Sequence, residues 1–137
     1  MRGSVMKKVL AACAAALLVA CAHGKTSNFP PVAAEPAEAA QVYVIRSSEL
    51  FGWGLTVGVT LNGAVIAHLR SGEYIRFLVP SGLHRIGIGE SVVVAALEKG
   101  RNYYFLISVD DTPSGFEIER IDTARGEEWL TKTRPLP

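Results

Sequence analysis

The chain has 137 residues, of which 49% are hydrophobic and 20% are charged, and its formal net charge is +1. This size suits a single domain with a packed core and excludes a chain that is disordered throughout. The near balance of basic and acidic residues argues against a nucleic-acid-binding protein.

The N-terminal stretch has the layout of a secretory signal that ends at a cysteine. Arg2, Lys7 and Lys8 form a basic region ahead of an apolar run over residues 9–20. This run is shorter than the roughly 20 residues that a transmembrane helix needs. The sequence LVAC at residues 18–21 resembles the box of the bacterial lipoprotein signal at every position. We therefore predict a lipoprotein signal peptide that is cleaved directly before the cysteine.

Cys21 is the predicted lipidation site. Its thiol can take a diacylglycerol thioether, and cleavage ahead of it frees an amine that can take a third fatty acid, such as palmitate. Two or more acyl chains anchor a protein stably in a membrane, whereas one does not. The alternatives are a plain secretory signal with an incidental cysteine and an uncleaved anchor.

The mature chain would keep a single cysteine, because Cys13 leaves with the signal peptide. A disulfide or a thiolate metal site is then impossible. Ala22 follows the lipidated cysteine, whereas an aspartate there retains enterobacterial lipoproteins at the inner membrane. The predicted location is the periplasmic face of the outer membrane. Cleavage also removes three of the 14 basic residues, so that 11 remain against 13 acidic ones.

The predicted domains are the signal peptide (residues 1–20), the lipidated N-terminus with a linker (21–40) and a folded domain (41–137). The linker is rich in proline and small residues. Its residues 22–40 would reach roughly 25 Å as a flexible coil or about 60 Å as polyproline II, which would hold the domain off the bilayer. A helical turn over residues 35–40 is an alternative that changes only the reach.

The folded domain is predicted to be all-β, because short runs of alternating apolar and polar residues are separated by turn signals. Asn62-Gly63 is the strongest signal, since asparagine and glycine tolerate the two positive φ angles of a type I′ hairpin. Seven or eight strands at this spacing predict a small antiparallel β-sandwich or a barrel. The predicted strands cover residues 41–46, 55–62, 64–69, 73–80, 83–89, 91–97, 102–109 and 115–121.

Alternation along the strands predicts which side chains enter the core. We expect a core of Ile75, Phe77, Val79, Ile86, Ile88, Tyr103, Phe105 and Ile107, with Tyr74 and Arg76 on the opposite face. After the last strand, Asp122 or Thr123 can begin a short helix in which Trp129 and Leu130 dock. This helix is expected to cover a sheet edge, although Gly126 is unfavourable for it.

The turns and strands resemble the bacterial lipoprotein family called domain of unknown function 2846 (DUF2846). The resemblance covers about residues 41–121. Ser81 is an insertion relative to the family's Pro-Gly-His turn, and Glu73 replaces a small hydroxyl residue. The resemblance implies a small β-sandwich carried by lipoproteins, with no established activity. The matching positions are Tyr43, Arg46, Asn62, Gly63, Gly72, Tyr74, Pro80, Gly82, His84, Tyr103 and Phe105.

The sequence predicts no catalytic residue, no metal site and no cofactor. His68 and His84 lack a short ligand spacing, and a hydrogen-bonded packing role is expected for His84. The pair Asp110 and Asp111 is expected to form a turn rather than a calcium site. Ser81 follows a proline in a turn and has no histidine and acid set around it.

Phe51 and Trp53 are the predicted binding residues, because large rings among glycines in a connection often mark a binding surface. The alternative is that they fold back and plug the sandwich. We expect residues 110–115 at the opposite end. The predicted function is a non-catalytic, lipid-anchored binding or structural module that meets an envelope partner and no nucleic acid. Alternatives are an accessory subunit of an envelope or secretion assembly and, in a different class, a hydrolase.

Overall fold

The computed structural model describes residues 36–48, 54–111 and 115–137. These ranges hold one 3-10 turn, Pro36–Glu38, followed by nine strands and one helix, α1 (Thr123–Lys132), which lies between β8 and β9. All eight predicted strands are present, with ends within two residues of the prediction. The strands are β1 (Ala39–Arg46), β2 (Val57–Leu61), β3 (Ala64–Leu69), β4 (Glu73–Pro80), β5 (Gly82–Ile88), β6 (Ser91–Leu97), β7 (Asn102–Val109), β8 (Phe116–Ile121) and β9 (Arg134–Pro135).

The strands form two packed sheets, which confirms the all-β sandwich with a short C-terminal helix. The first sheet has the order β8-β7-β1-β4-β9, and the second has the order β3-β2-β5-β6. Most neighbouring strands are antiparallel, as expected. Two pairs are parallel, namely β1 with β7 and β4 with β9. The first of these pairs determines which loops meet at each end of the sandwich.

The core between the sheets contains the residues that alternation predicts. Ile75, Phe77 and Val79 of β4 are buried, whereas Arg76 between them is exposed. Ile86 and Ile88 of β5 and Tyr103, Phe105 and Ile107 of β7 are buried in the same cluster. The predicted faces of these strands are therefore confirmed.

A second apolar cluster lies on the outer face of the first sheet, beneath α1. It consists of Ile45, Tyr104, Leu106 and Ile121, with Trp129 and Leu130 of the helix packed against it. Tyr104 and Leu106 are the neighbours of the predicted core residues in β7, so this strand is buried on both faces. The helix thus covers a sheet face, and the predicted position over an edge is wrong. The edge of β4 is covered instead by β9.

The ends of α1 and the Asn62-Gly63 turn follow the predicted local chemistry. The Oδ1 atom of Asp122 accepts a hydrogen bond from the backbone N–H of Arg125 at 2.8 Å, which confirms this aspartate as the N-cap. Asn62 and Gly63 have φ angles of 51° and 87°, as a type I′ hairpin requires. No helix in the three described ranges is long and apolar enough to span a membrane.

Candidate functional site

The direction of β1 defines two ends of the sandwich. At the end where the chain enters, Ala39 pairs with Pro80 and its carbonyl accepts a hydrogen bond from Gly100. We call this the entry end. At the other end, the backbone N–H of Ser47 donates to the carbonyl of Ile107 at 3.0 Å. We call this the far end.

Asp110 and Gly115 lie at the far end, where the chain also leaves β1, so the two connections do not start from opposite ends as expected. The reason is that β1 and β7 run parallel, with Arg46 beside Ile107, so the connections that follow both strands leave at the same end. Phe51 and Trp53 themselves lie outside the described residues. The described residues that flank them are Ser48 and Gly54. Ser48 lies close to Gly72, and Gly54 lines a cavity together with Arg70 and Ser71.

Arg46 is the largest fully buried side chain described, with 2% of its surface exposed. Its Nη1 atom donates to the carbonyl of Leu69 at 2.8 Å and to the carbonyl of Leu55. Its guanidinium carbon also lies 4.8 Å from the centre of the Phe116 ring. A buried charge is costly unless it is hydrogen-bonded, so the two carbonyl groups offset the cost of burying the guanidinium. The contacts of Arg46 also join four segments of the chain at the far end.

Glu73, at the start of β4, is the acidic residue whose charge attracts Arg46. It is 6% exposed, and its Oε2 atom accepts a hydrogen bond from the backbone N–H of Arg70 at 2.8 Å. Its Oε1 atom lies 3.6 Å from Nη2 of Arg134. Burial lowers the pKa of Arg46, and the attraction of Glu73 opposes that effect. The carboxylate of Glu73 thus interacts with the side chains of both Arg46 and Arg134.

Two cavities adjoin each other at the far end, and Thr56 lines both. The first is polar, has a volume of about 500 Å³ and is lined by Gly54, Thr56, Arg70, Ser71 and Arg134. The second is mainly apolar, has a volume of about 310 Å³ and is lined by Leu55, Thr56, Val57, Ile88, Gly89 and Phe116, among others. Leu55 at its rim is 59% exposed. The far end therefore offers a basic cavity beside an apolar one.

A third cavity, of about 430 Å³, lies on the outer face of the first sheet near the C-terminus of the helix. Tyr43 and Tyr74 line it together with Arg76, Leu130 and Leu136. The ring of Tyr43 stacks on that of Tyr104 with centroids 5.0 Å apart and an interplanar angle of 8°. This stacking joins the cavity wall to the cluster beneath α1, so the tyrosines contribute to packing.

His84 has the hydrogen-bonded role that was expected. Its Nε2 atom lies 2.7 Å from the carbonyl of Pro80, which can only accept, so Nε2 carries the proton. Its Nδ1 atom lies 3.0 Å from the side-chain nitrogen of Asn62, whose oxygen accepts from the N–H of Arg85 at 2.9 Å. These bonds join three turn and strand segments at the entry end.

The other candidates for chemistry remain separate in the fold. His68 pairs with Gly58 in the β2–β3 ladder of the second sheet, away from the bonds of His84. Asp110 accepts a hydrogen bond from the N–H of Asp111 at 2.7 Å, as a turn-forming aspartate does. Within the part of the chain that the structure describes, there is no group of three or more histidine, cysteine, aspartate or glutamate residues that could hold a metal ion.

Sequence reasoning missed the basic cavity. Arg70 and Glu73 belong to the same turn, but Arg134 lies more than sixty residues after both of them in the chain. The available signal was weak, because a buried glutamate at the start of a strand has the same local sequence pattern as an exposed one.

Comparisons with protein-family models, with curated proteins and with solved structures found no match.

Proposed function

We propose that this chain is an envelope lipoprotein, anchored by a lipid on Cys21 to the periplasmic face of the outer membrane, whose sandwich binds an envelope protein through the far end. In this proposal the module is not a catalyst. The resemblance to DUF2846 lipoproteins and the signal at residues 18–21 support the anchor. The single observation that supports the binding role is the direction of β1, because it separates the far end, with its two cavities, from the end at which the linker enters.

The chain enters β1 at Ala39, within the last two residues of the predicted linker, and leaves it at Arg46. The strand has eight residues, so it separates the entry end from the far end by about 25 Å at about 3.3 Å per residue. A lipid anchor ahead of the linker would then hold the entry end toward the membrane. The far end, with its two adjoining cavities, would face the periplasm.

Phe51 and Trp53 remain the proposed contact residues. The chain reaches them from Ser48 and returns at Gly54, and Gly54 lines the basic cavity. Aromatic side chains are frequent among the residues that carry most of the binding energy of an interface. Their position in the chain thus suits an aromatic contact beside the two cavities.

Photo-crosslinking in cells can test which end meets the partner. A photoreactive residue replaces Leu55 at the far end or Leu83 at the entry end, which are matched because both leucines are exposed, at 59% and 72%. We expect a specific crosslinked protein from position 55 and not from position 83. Crosslinks from position 83 alone would contradict the proposal.

The same assay can test the two aromatic residues. We expect the double substitution Phe51→Ser and Trp53→Ser to remove the crosslink from position 55 while the melting midpoint stays nearly unchanged, because an interface anchor contributes little to monomer packing. Leu83→Ser is the control and should keep the crosslink. If the double variant unfolds or its midpoint falls sharply, the rings plug the sandwich and are not contact residues.

A further inference from the structure

We propose that the far end recognises a peptide carboxylate that lies next to an apolar side chain: the carboxylate enters the basic cavity, and the side chain enters the apolar cavity. The choice of a protein ligand rests on the proposed function. The chemistry of the two cavities is independent of it.

Among the described residues that line the basic cavity, Arg70 and Arg134 are charged and none is acidic. Arg70 has an exposed guanidinium and makes no ion pair in the described part of the chain. Nη2 of Arg134 lies 3.6 Å from Oε1 of Glu73, which is a long distance for an ion pair. The same carboxylate also attracts the buried Arg46. Among the described residues, two guanidinium groups therefore line the cavity beside the single carboxylate of Glu73. An added anion would offset this excess, and guanidinium groups bind carboxylates through paired hydrogen bonds.

The backbone holds the two exposed arginines in place. Arg70 directly follows β3, and its N–H donates to Oε2 of Glu73 at 2.8 Å. Arg134 pairs with Glu73 in the parallel β4–β9 ladder, and its N–H donates to the carbonyl of Gly72 at 2.9 Å. Both arginines are thus fixed to the same turn between β3 and β4. The two side chains therefore start from fixed, neighbouring backbone positions.

The apolar cavity favours a ligand with both a charge and a hydrophobic group. Thr56 lines both cavities, so a bound group in one cavity is adjacent to the other. Leu55 leaves 59% of its surface exposed at the rim, and Ile88 and Phe116 form the wall. Burying apolar surface there contributes binding energy that a free inorganic anion could not obtain.

A peptide suits this site better than a membrane lipid does. The arginines could also bind a phosphate headgroup, and the apolar cavity could take part of an acyl chain. However, the far end lies about 25 Å beyond the entry end, judged from eight residues of β1. With the anchor at the entry side, the cavities would lie about 25 Å farther from the point where the linker enters than the entry end does. A lipid ligand is therefore the competing outcome of the test.

A pair of small probes can test the proposal with the purified protein in detergent. N-acetyl-L-phenylalanine carries the carboxylate and an apolar ring, and N-acetyl-L-phenylalanine amide differs only in lacking the charge. In NMR titrations we expect the acid to bind at least about tenfold more tightly than the amide, as for a charged hydrogen-bonded group. The acid should shift the resonances of Thr56 and Ile88.

Charge variants provide the control. The double substitution Arg70→Gln and Arg134→Gln should weaken binding of the acid by about tenfold or more and leave binding of the amide unchanged. Arg70→Gln alone should have part of this effect, which keeps the test valid if the double variant melts early. Arg85→Gln removes an exposed arginine at the entry end and should change nothing.

Three results would overturn the proposal. Equal binding of the acid and the amide would exclude a carboxylate site. Loss of binding in the Arg85→Gln variant would show general charge attraction. Tighter, arginine-dependent binding of short-chain phosphatidylglycerol would identify a lipid ligand instead. If the acid binds as expected but cellular crosslinks arise from position 83, the site stands and the proposed function fails. If position 55 crosslinks but the acid does not bind, the reverse holds.

Discussion

Tyr104 connects the sheet to the helix through a buried side chain and a polar group. It is 1% exposed, its hydroxyl donates to Oε1 of Glu127, and its ring stacks on Tyr43. Burial, and then the hydrogen bond to the Glu127 carboxylate, raises its pKa from 10.0 to about 12, against a smaller opposing effect of Asn102. Neutral tyrosine is thus favoured in the folded state.

This shift predicts a loss of stability at high pH. Because the folded pKa exceeds the unfolded value, the stabilisation is complete below about pH 10 and is lost as the pH rises through about 12. Tyr104 should account for about 2–3 kcal/mol of the decrease in the free energy of unfolding. Urea melts at about pH 9 and about pH 12 would measure it. Tyr104→Phe should show a shallower decrease, and an equal decrease in both proteins would contradict this assignment.

At the scale of an element, Gly126 explains how α1 packs against the sheet. It is the buried residue of the helix, and a Cβ atom added there would lie 2.2 Å from Cγ of Tyr104. Its absence lets the helix backbone lie directly on the tyrosine ring. The glycine that disfavours the helix in isolation therefore permits its docking.

Gly126→Ala should destabilise the protein, although alanine is the better helix former by about 1 kcal/mol. The clash with Tyr104 is an overpacking effect, and we expect a net loss of about 1–3 kcal/mol in the free energy of unfolding. Chemical denaturation would measure it. Thr131→Ala, on the exposed side of the same helix, should cause no comparable loss. A stabilised Gly126→Ala protein would show that the helix shifts freely over the sheet.

At the scale of the whole molecule, β1 separates the entry end, which follows the predicted anchor and linker in the chain, from the far end. The proposed orientation of the far end toward the periplasm depends on a lipid at Cys21. We expect Cys21→Ser to abolish labelling by a fatty-acid analogue and to leave a larger, unprocessed precursor, because both the thioether and the cleavage depend on that thiol.

Cys13→Ser is the matched control for this labelling. Cys13 lies within the predicted signal peptide, so its replacement should leave both the label and the processing intact. Label that persists in the Cys21→Ser protein would refute lipidation at this cysteine.

Local features of the chain were predictable from the sequence. The eight strands, the Asn62-Gly63 hairpin and the Asp122 cap each depend on residues a few positions apart. The core face of β4 follows from alternation alone. In β7, the continuous apolar run from Tyr103 to Ile107 is typical of a strand buried on both faces, yet alternation assigned one face to the core and missed Tyr104 and Leu106.

The sequence by itself therefore determined the strand positions, the inward faces and the turns, because neighbouring residues specify them. The tertiary structure decided the parallel pairing of β1 with β7, so the chain leaves both strands at the same end of the sandwich. It also brought Arg134 to Arg70 and Glu73, which lie more than sixty residues earlier in the chain. Strand order depends on pairing between distant segments, and such pairing leaves no local pattern from which it can be predicted.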